Sequence, residues 1–400
     1  MPTSTDASTP EILICLHSFE PGGVEQVALR LAAVWRQAGT RATVFLGRTD
    51  GAMAGRFADK VELERAPATR WPIRHAETLW MIVQLARRIR RAPPALLFAP
   101  GNSYAVVAVA MKLLFGRACP PILLKISNDL VRGDMPAPMR DLYRLWLRVQ
   151  GACVDHFVAM SEALAYQIAR QARVAPQRIH FIPNPALDPR SGTPLRPSAP
   201  RAPQTGRAFC FVGRLVAQKN LPLLLRAFAR GRRTGDRLDL YGEGPCRPVL
   251  ERLAAGLGLT GAVRFMGHDP AAAGHMRRYD ALLLASRYEG LPSVVLEALD
   301  AGLHVVTTDC CCSMRTLLEQ GAFGDVVAAG DESAFAAAIA RAPAGQRAPA
   351  AAAATVDRHR IDRIAPHYLR LFRHLIALGK GRPAATGQPM PPFTTRECTL

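Results

Sequence analysis

With 400 residues, 49% hydrophobic and only 6% aromatic, the chain is too long for one ordinary core and suits two domains of ordinary size. Its formal charge of +19 comes almost wholly from arginine, since Lys60, Lys112, Lys125, Lys219 and Lys380 are its lysines. That excess is spread over both halves, not gathered on one element with interleaved aromatics. This argues against nucleic acid and leaves a solvated basic surface, an anionic membrane surface or a phosphorylated substrate.

The start, MPTSTDASTP, lacks a basic region followed by an apolar core, and no apolar run is long enough to span a bilayer. The expectation is therefore a cytoplasmic protein. The nine cysteines show no metal-ligand spacing, and the neighbours Cys310, Cys311 and Cys312 diverge along the backbone. They are expected to be reduced thiols, with no metal site.

In chain order, EILICLHS (11–18) is a buried-strand pattern, followed by the loop FEPGG and the helical VEQVALRLAAVWRQAG. TRATVFLG (40–47), ALLFAP (95–100), PILLKIS (121–127), DHFVAMS (155–161) and RIHFIPNP (178–185) read as further short strands with amphipathic helices between them. The basic helices over 76–91 and 139–150 carry Trp80 and Trp146 among their apolar residues, a pattern of either sheet-covering helices or a peripheral membrane face. A Pro/Arg/Ser-rich stretch, 188–206, then reads as an interdomain linker.

A second βα series follows: AFCFVGR, RLDLYGEG, AVRFMGH, DALLLAS, HVVTTD and GDVVAAG. The expected fold class is α/β, with two Rossmann-like parallel sheets. The domains are 11–187 and 207–356, with a last helix over 357–379 kinked at Pro366 and disordered ends at 1–10 and 380–400.

Ligands bind beyond the carboxyl ends of strands in such sheets, and the motifs fall there. Gly22 and Gly23 lie between the first strand and the first helix, where bare backbone approaches an anion; an ordinary βα turn would look the same. In FVGRLVAQKN, Gly213, Arg214 and Lys219 leave a strand end together, which suits a diphosphate or, more blandly, a solvated turn. Gly242 and Glu243 of YGEGP mark another turn on the same rim. In SRYEGLPSVVLEALDAG, Pro292 fits the first helical position, so Glu289 and Gly290 precede the helix and Glu297 follows inside it. Free amides near Leu291 and Ser293 and two carboxylates suit a polyol such as a sugar or ribose.

The order GG loop, GRL-x3-K, GEGP and E-x7-E resembles the retaining glycosyltransferases of the GT-B fold, over residues 11 to about 340. That group includes lipopolysaccharide and exopolysaccharide transferases. The resemblance implies that Arg214 and Lys219 hold the diphosphate of a nucleotide sugar and stabilise it as leaving group. Glu297 would meet the ribose, Glu289 the donor sugar near its reacting face, and Gly23 the phosphates. The base would lie near Phe265–Gly267 and the turn after Gly242.

It further implies a UDP- or GDP-sugar donor, no metal and no other cofactor, a glycan or lipid-linked acceptor, a cytoplasmic site with peripheral membrane contact, and a C-terminal helix returning to the first domain. Where many relatives carry a histidine, this chain reads KISND, so Asn128 or Asp129 stands in as an acceptor or sugar contact. A transferase acting on a soluble phosphorylated acceptor, or a fold that has lost its chemistry, are the alternatives. A two-Rossmann dehydrogenase is excluded because GxGxxG with a following ribose acid is absent.

Overall fold

The computed structural model describes residues 10–20, 22–48, 51, 53–67, 77–132, 135–189, 206–345 and 350–379. The expected disordered ends apart from residue 10, most of the linker and the first residue of the helix expected over 76–91 lie outside these residues. The chain divides into two compact units, residues 1–185 with 361–400, and residues 186–360.

The first unit is built on strands β1 (Ile12–Leu16), β2 (Ala42–Leu46), β3 (Glu62–Arg65), β4 (Leu96–Ala99), β5 (Ile122–Lys125), β6 (His156–Ala159) and β7 (Ile179–Phe181). They are all parallel, in the order β3-β2-β1-β4-β5-β6-β7. Helices α1 (Gly23–Gln37), α2 (Ala54–Phe57), α3 (Glu77–Arg91), α4 (Ala105–Phe115), α5 (Ala137–Cys153) and α6 (Glu162–Gln171) connect them. Right-handed crossovers place α3 to α6 on one face and α1 on the other.

The second unit contains β8 (Ala208–Val212), β9 (Arg237–Tyr241), β10 (Val263–Gly267), β11 (Ala281–Leu284), β12 (His304–Thr308) and β13 (Gly324–Val327). Their order is β10-β9-β8-β11-β12-β13, again parallel throughout. Helices α7 (Leu221–Gly231), α8 (Arg247–Gly256), α9 (Ala272–His275), α10 (Ser293–Asp300), α11 (Met314–Leu317), α12 (Glu332–Arg341) and α13 (Ala350–Asp357) cover it.

Central strands such as ILICL, LLFA and ALLL are buried along their whole length because helices cover both faces. That is why they read as continuous apolar runs. Strand β3, ELER, is a half-exposed edge strand with charges alternating along it. Its apolar content is too low to signal a strand from the sequence alone.

The single helix expected over 357–379 is instead two, α13 and α14 (Ile361–Gly379). Between them Arg360 is buried and pinned: its guanidinium pairs with Asp300 at 2.5 Å and Asp357 at 3.0 Å and donates to the Asp188 carbonyl at 2.9 Å. Helix α14 contains Pro366 and packs on α1. There Tyr368 and Phe372 join Trp35 and Phe98 in one aromatic cluster with centroid distances of 5.0–6.0 Å. The Trp35 indole N–H donates to the Ala365 carbonyl at 3.1 Å, so the ring is buried without an unmet donor.

Since all four rings are buried, Phe372→Ala should leave a cavity and destabilise the first unit by about 3–5 kcal/mol. Urea unfolding followed by Trp35 fluorescence measures this, and a loss below about 1 kcal/mol would contradict the packing described.

Candidate functional site

In the second sheet, β8 lies between β9 and β11, so successive crossovers diverge there and leave a crevice at the carboxyl ends. Three neighbouring strands end in glycine. Gly213 follows β8, Gly242 follows β9 and Gly267 closes β10. Gly242 has φ +138°, and a Cβ on it would stand 1.9 Å from the Gly213 carbonyl oxygen. No side chain fits between these loops, and their backbones close the gap: Gly213 N–H donates to the Tyr241 carbonyl at 2.9 Å, Leu215 N–H to the Glu243 carbonyl at 2.9 Å, and Gly242 N–H to the Gly267 carbonyl at 2.7 Å.

On the other side of β8, the loop 217–219 is tied to the loop after β11. Arg287 N–H donates to the Gln218 carbonyl at 2.8 Å, and the Gln218 amide donates to the Tyr288 carbonyl at 2.9 Å. Across this seam Lys219 Nζ donates to Glu289 Oε1 at 2.5 Å, and Ser286 Oγ donates to the same oxygen at 2.7 Å. Both charged side chains are largely buried, 14% and 10% exposed. Glu289 is held from behind as well, its N–H donating to the Cys310 carbonyl at 2.7 Å. Arg214 is different: its side chain is exposed and makes no ion pair or side-chain hydrogen bond among the described residues.

Helix α10 begins at Ser293 with Pro292 as its N-cap, so the proline stands one position earlier than expected. Its φ of −70° suits either place, and the cap lacks a side-chain acceptor. The first amides of α10 are thus left for another acceptor beside Gly290. Leu291 is buried and anchors the turn, Ser293 is half-buried, and Glu297 is half-buried on the second turn of the helix. Glu243 is the weakest of the expected contacts. It is 51% exposed and paired with Arg247 at 2.5 Å, and Arg247 in turn lies 5.9 Å from the Phe265 ring centre.

The remaining candidates belong to the first unit. Gly22 caps α1 with φ −113°, and Gly23 is the first helical residue, so neither needs a positive φ. A Cβ on Gly23 would meet nothing within 4 Å, and one on Gly22 would meet only the flexible Glu25 carboxylate. Asn128 is exposed and Asp129 half-buried in the loop after β5. Asn102 organises that loop, its Oδ1 accepting from Ser127 N–H at 2.6 Å and Asn128 N–H at 3.2 Å.

A second cluster lies at this rim, unmarked as a cluster by any local pattern in the sequence. His17, just past β1, stacks on Tyr104 with centroids 4.8 Å apart, and Tyr104 Oη donates to Glu25 Oε1 at 2.8 Å. Burial holds the His17 imidazole below its ordinary range, against the opposing pull of Glu77 and Glu25, and its buried Nδ1 has no partner among the described residues. The signal was present, as a histidine ending the first strand pattern, but its partners lie on other elements. Ser286 and Gln218 escaped notice for the same reason.

Lys125, on the last position of β5, is 2% exposed with Asn184 Oδ1 at 2.8 Å from Nζ. Burial without a countercharge pushes its pKa down from 10.5 to about 7. The unfolded chain therefore binds a proton that the folded chain does not between pH 7 and 10.5, so this residue makes stability rise with pH across that window. Lys125→Met removes that slope: its melting temperature relative to the parent protein should fall steadily from pH 7 to pH 10. Parallel pH profiles for the two proteins would refute the assignment. The glycines give a second test. Gly242→Ala should cost about 2 kcal/mol or more in the second unit, whereas Gly23→Ala should leave thermal unfolding within about 0.5 kcal/mol of the parent.

Residues 206–343 match the family model described as "Glycosyl transferases group 1", and residues 21–186 match "Glycosyltransferase Family 4". Together the two segments span most of the chain. The D-inositol 3-phosphate glycosyltransferase of Geodermatophilus obscurus is 32% identical over 240 residues, 54% of this chain and 51% of that protein. The lipopolysaccharide core biosynthesis glycosyltransferase LpsE of Rhizobium meliloti is 34% identical over 128 residues, 32% of this chain and 37% of LpsE. Matches to curated relatives reach 20% to 51% of their length. Among solved structures, Anabaena Alr3699/HepE in complex with UDP-glucose superposes with a TM-score of 0.69 at 18% identity, covering 91% of this chain and 99% of that one. At that identity the likeness concerns the fold: two parallel-sheet domains of GT-B type.

Proposed function

We propose that this chain, whose two segments match the models for group 1 and family 4 glycosyltransferases on a GT-B fold, moves a sugar from a nucleotide-sugar donor to a glycan or lipid-linked acceptor with retention of configuration, in the assembly of a surface polysaccharide. The observation that carries this reading is the Lys219–Glu289 pair bridging the crevice between β8 and β11, with Arg214 exposed after β8 and without an ion pair among the described residues. A crevice of this kind is where a doubly wound sheet takes its ligand. An unpaired, exposed guanidinium next to bare glycine backbone suits a diphosphate, which it meets through two parallel hydrogen bonds.

Lys219 has three donors, one of which Glu289 uses, so the ammonium can hold the carboxylate and a phosphate oxygen at once. Glu289, fixed by Ser286 and Lys219, then presents a carboxylate edge to the sugar hydroxyls. Glu297 lies one helical turn and more beyond the open amides of α10 and takes the ribose. As the bond to the diphosphate lengthens, Arg214 and Lys219 stabilise the charge that develops on it, without a metal ion. The acceptor hydroxyl attacks from the face the diphosphate leaves, and its proton passes to a phosphate oxygen. The likeness to LpsE supports a lipopolysaccharide acceptor. The likeness to the inositol 3-phosphate transferase favours a soluble phosphorylated acceptor as the second reading.

The purified chain in EDTA, screened against UDP-, GDP-, ADP- and dTDP-sugars by thermal shift, should be stabilised by one donor class. Arg214→Ala and Lys219→Ala should each abolish that shift and lower kcat/KM about 10²–10³-fold, the effect of losing one well-placed donor at a developing charge. Donor turnover that appears only when magnesium is added would refute the metal-free route. A β-linked product from an α-configured donor would refute retention.

A further inference from the structure

Each helix of a parallel sheet returns from the carboxyl end of one strand to the amino end of the next. Helices α5 and α6 therefore both finish at the amino edge of the first sheet, away from the loop carrying Asn128 and Asp129. There the ends of the two helices and the segment leading to β7 border an open cleft of about 700 Å³. Arg148 of α5, Arg170 of α6 and Arg173 just beyond α6 all line it, together with Gln171.

Backbone contact builds this convergence. Gly151 of α5 faces the segment after α6, where a Cβ would stand 1.9 Å from the Ala172 carbonyl oxygen. Only glycine allows so close an approach. Arg148 lies one turn before Gly151 and Arg173 follows Ala172, so the contact brings these two arginines to the same place. Arg178 locks it, its guanidinium donating to the Gly151 carbonyl at 2.8 Å, to the Asp155 carbonyl at 2.8 Å and to the Val154 carbonyl. Arg170 stacks over the Tyr166 ring at 5.9 Å, which orients its plane. Arg173 itself has φ +55°, a left-handed conformation in which glycine or asparagine is usual at a helix end. An arginine kept in a strained backbone position points to a use for its side chain.

The charge of the cleft is uncompensated. Its three arginines are exposed, and none forms an ion pair among the described residues. Exposed arginines elsewhere are commonly paired, as Arg226 is with Glu332, Arg264 with Asp239 and Arg341 with Asp325. The nearest acids along the chain are already engaged, Asp141 by Arg144 at 2.9 Å and Asp155 by Lys112 at 2.6 Å. The carbonyl ends of α5 and α6 each carry about half a negative charge, which leaves roughly two of the three positive charges for a ligand.

Geometry selects the ligand class. A guanidinium presents a planar fork of N–H donors, which meets two oxygens of one phosphate or carboxylate. A single carboxylate has one such edge and serves one arginine. Three forks converging on one concave place, instead of following a groove, match the many oxygens of a compact polyphosphate. The other walls are the small side chains of Ala169, Val174 and Ala175, which leave room for the ligand and offer a protein partner no deep apolar pocket. We propose that this cleft binds a small soluble molecule bearing a diphosphate or two phosphate groups. The site belongs to the first unit alone and is independent of the donor chemistry proposed above.

The test is calorimetric titration of the full chain with inorganic pyrophosphate and with citrate, a trianion without phosphorus. Arg214→Ala and Lys219→Ala are combined in it to silence the diphosphate site of the second unit. That protein should still bind pyrophosphate at a single site, more weakly as salt rises, and at least about tenfold more tightly than citrate. Adding Arg148→Gln with Arg173→Gln should weaken pyrophosphate binding at least about tenfold. Arg148→Lys with Arg173→Lys should recover only part of it, because lysine keeps the charge and loses the fork. The cleft substitutions alter exposed side chains, so in the otherwise unchanged chain the unfolding temperature and the nucleotide-sugar shift should match the parent protein. Pyrophosphate binding by a chain that answers no nucleotide sugar would count against the transferase reading alone. Absence of pyrophosphate binding, undiminished binding by the glutamine variant, or equal affinity for citrate would overturn the site. A response to phosphatidylglycerol vesicles that pyrophosphate neither reproduces nor displaces would likewise overturn it.

Discussion

The second unit depends on the absence of a side chain at Gly242. Its missing Cβ lets the loops after β8 and β9 meet backbone to backbone, and that contact fixes where Gly213, and hence Arg214, leaves the sheet. From there the chain turns through 217–219 and is stitched to the loop after β11 by Gln218 and Lys219. The pair Lys219–Glu289 would be an expensive way to gain stability, since removing two charges from water costs much of what their attraction returns. Its value is positional. The Ser286 hydroxyl on the same carboxylate oxygen gives Glu289 one defined orientation, and preorganised charge is what a site needs when a leaving group must be stabilised.

The first unit is organised differently. Its rim holds buried and half-buried polar groups, among them Asn102, Tyr104 and a His17 whose imidazole pKa is lowered by burial. Lys125 and Asn184 close the base of the loop after β5 with a buried lysine whose pKa is pushed down to about 7. A rim of this kind is suited to hydroxyl-bearing ligands, which need directed hydrogen bonds more than countercharge. The opposite sides of this sheet also have opposite characters. One face buries the aromatic cluster under α14, and the other turns leucine and arginine outward on α3 to α6.

Much of this was legible in the chain itself. Apolar runs such as ILICL, LLFA and ALLL announced strands covered on both faces, and their alternation with helices announced parallel sheets, because only crossovers can join parallel neighbours. The positions of Arg214, Lys219, Glu289 and Glu297 were readable because each stands within a few residues of a strand end or helix start. Local pattern failed where the local signal was weak. The charged edge strand β3 hid in ELER, and the break at residues 358–360 hid in an unbroken amphipathic pattern, since Arg360 is held by Asp300 and Asp188, far away in sequence.

The sequence by itself determined which residues carry charge, where glycine replaces a side chain, and the order of strands and helices along the chain. Tertiary structure alone decided that Lys219 and Glu289 share a proton-donor contact, that Ser286, Gln218, His17 and Tyr104 belong to the rims, and that Gly23 is open while Gly242 is locked. The physical reason is range. Propensity and periodicity act over a few residues, whereas a salt bridge between positions 219 and 289, or a leucine left in water on α5, depends on which distant elements the sheet order brings together and which it leaves uncovered.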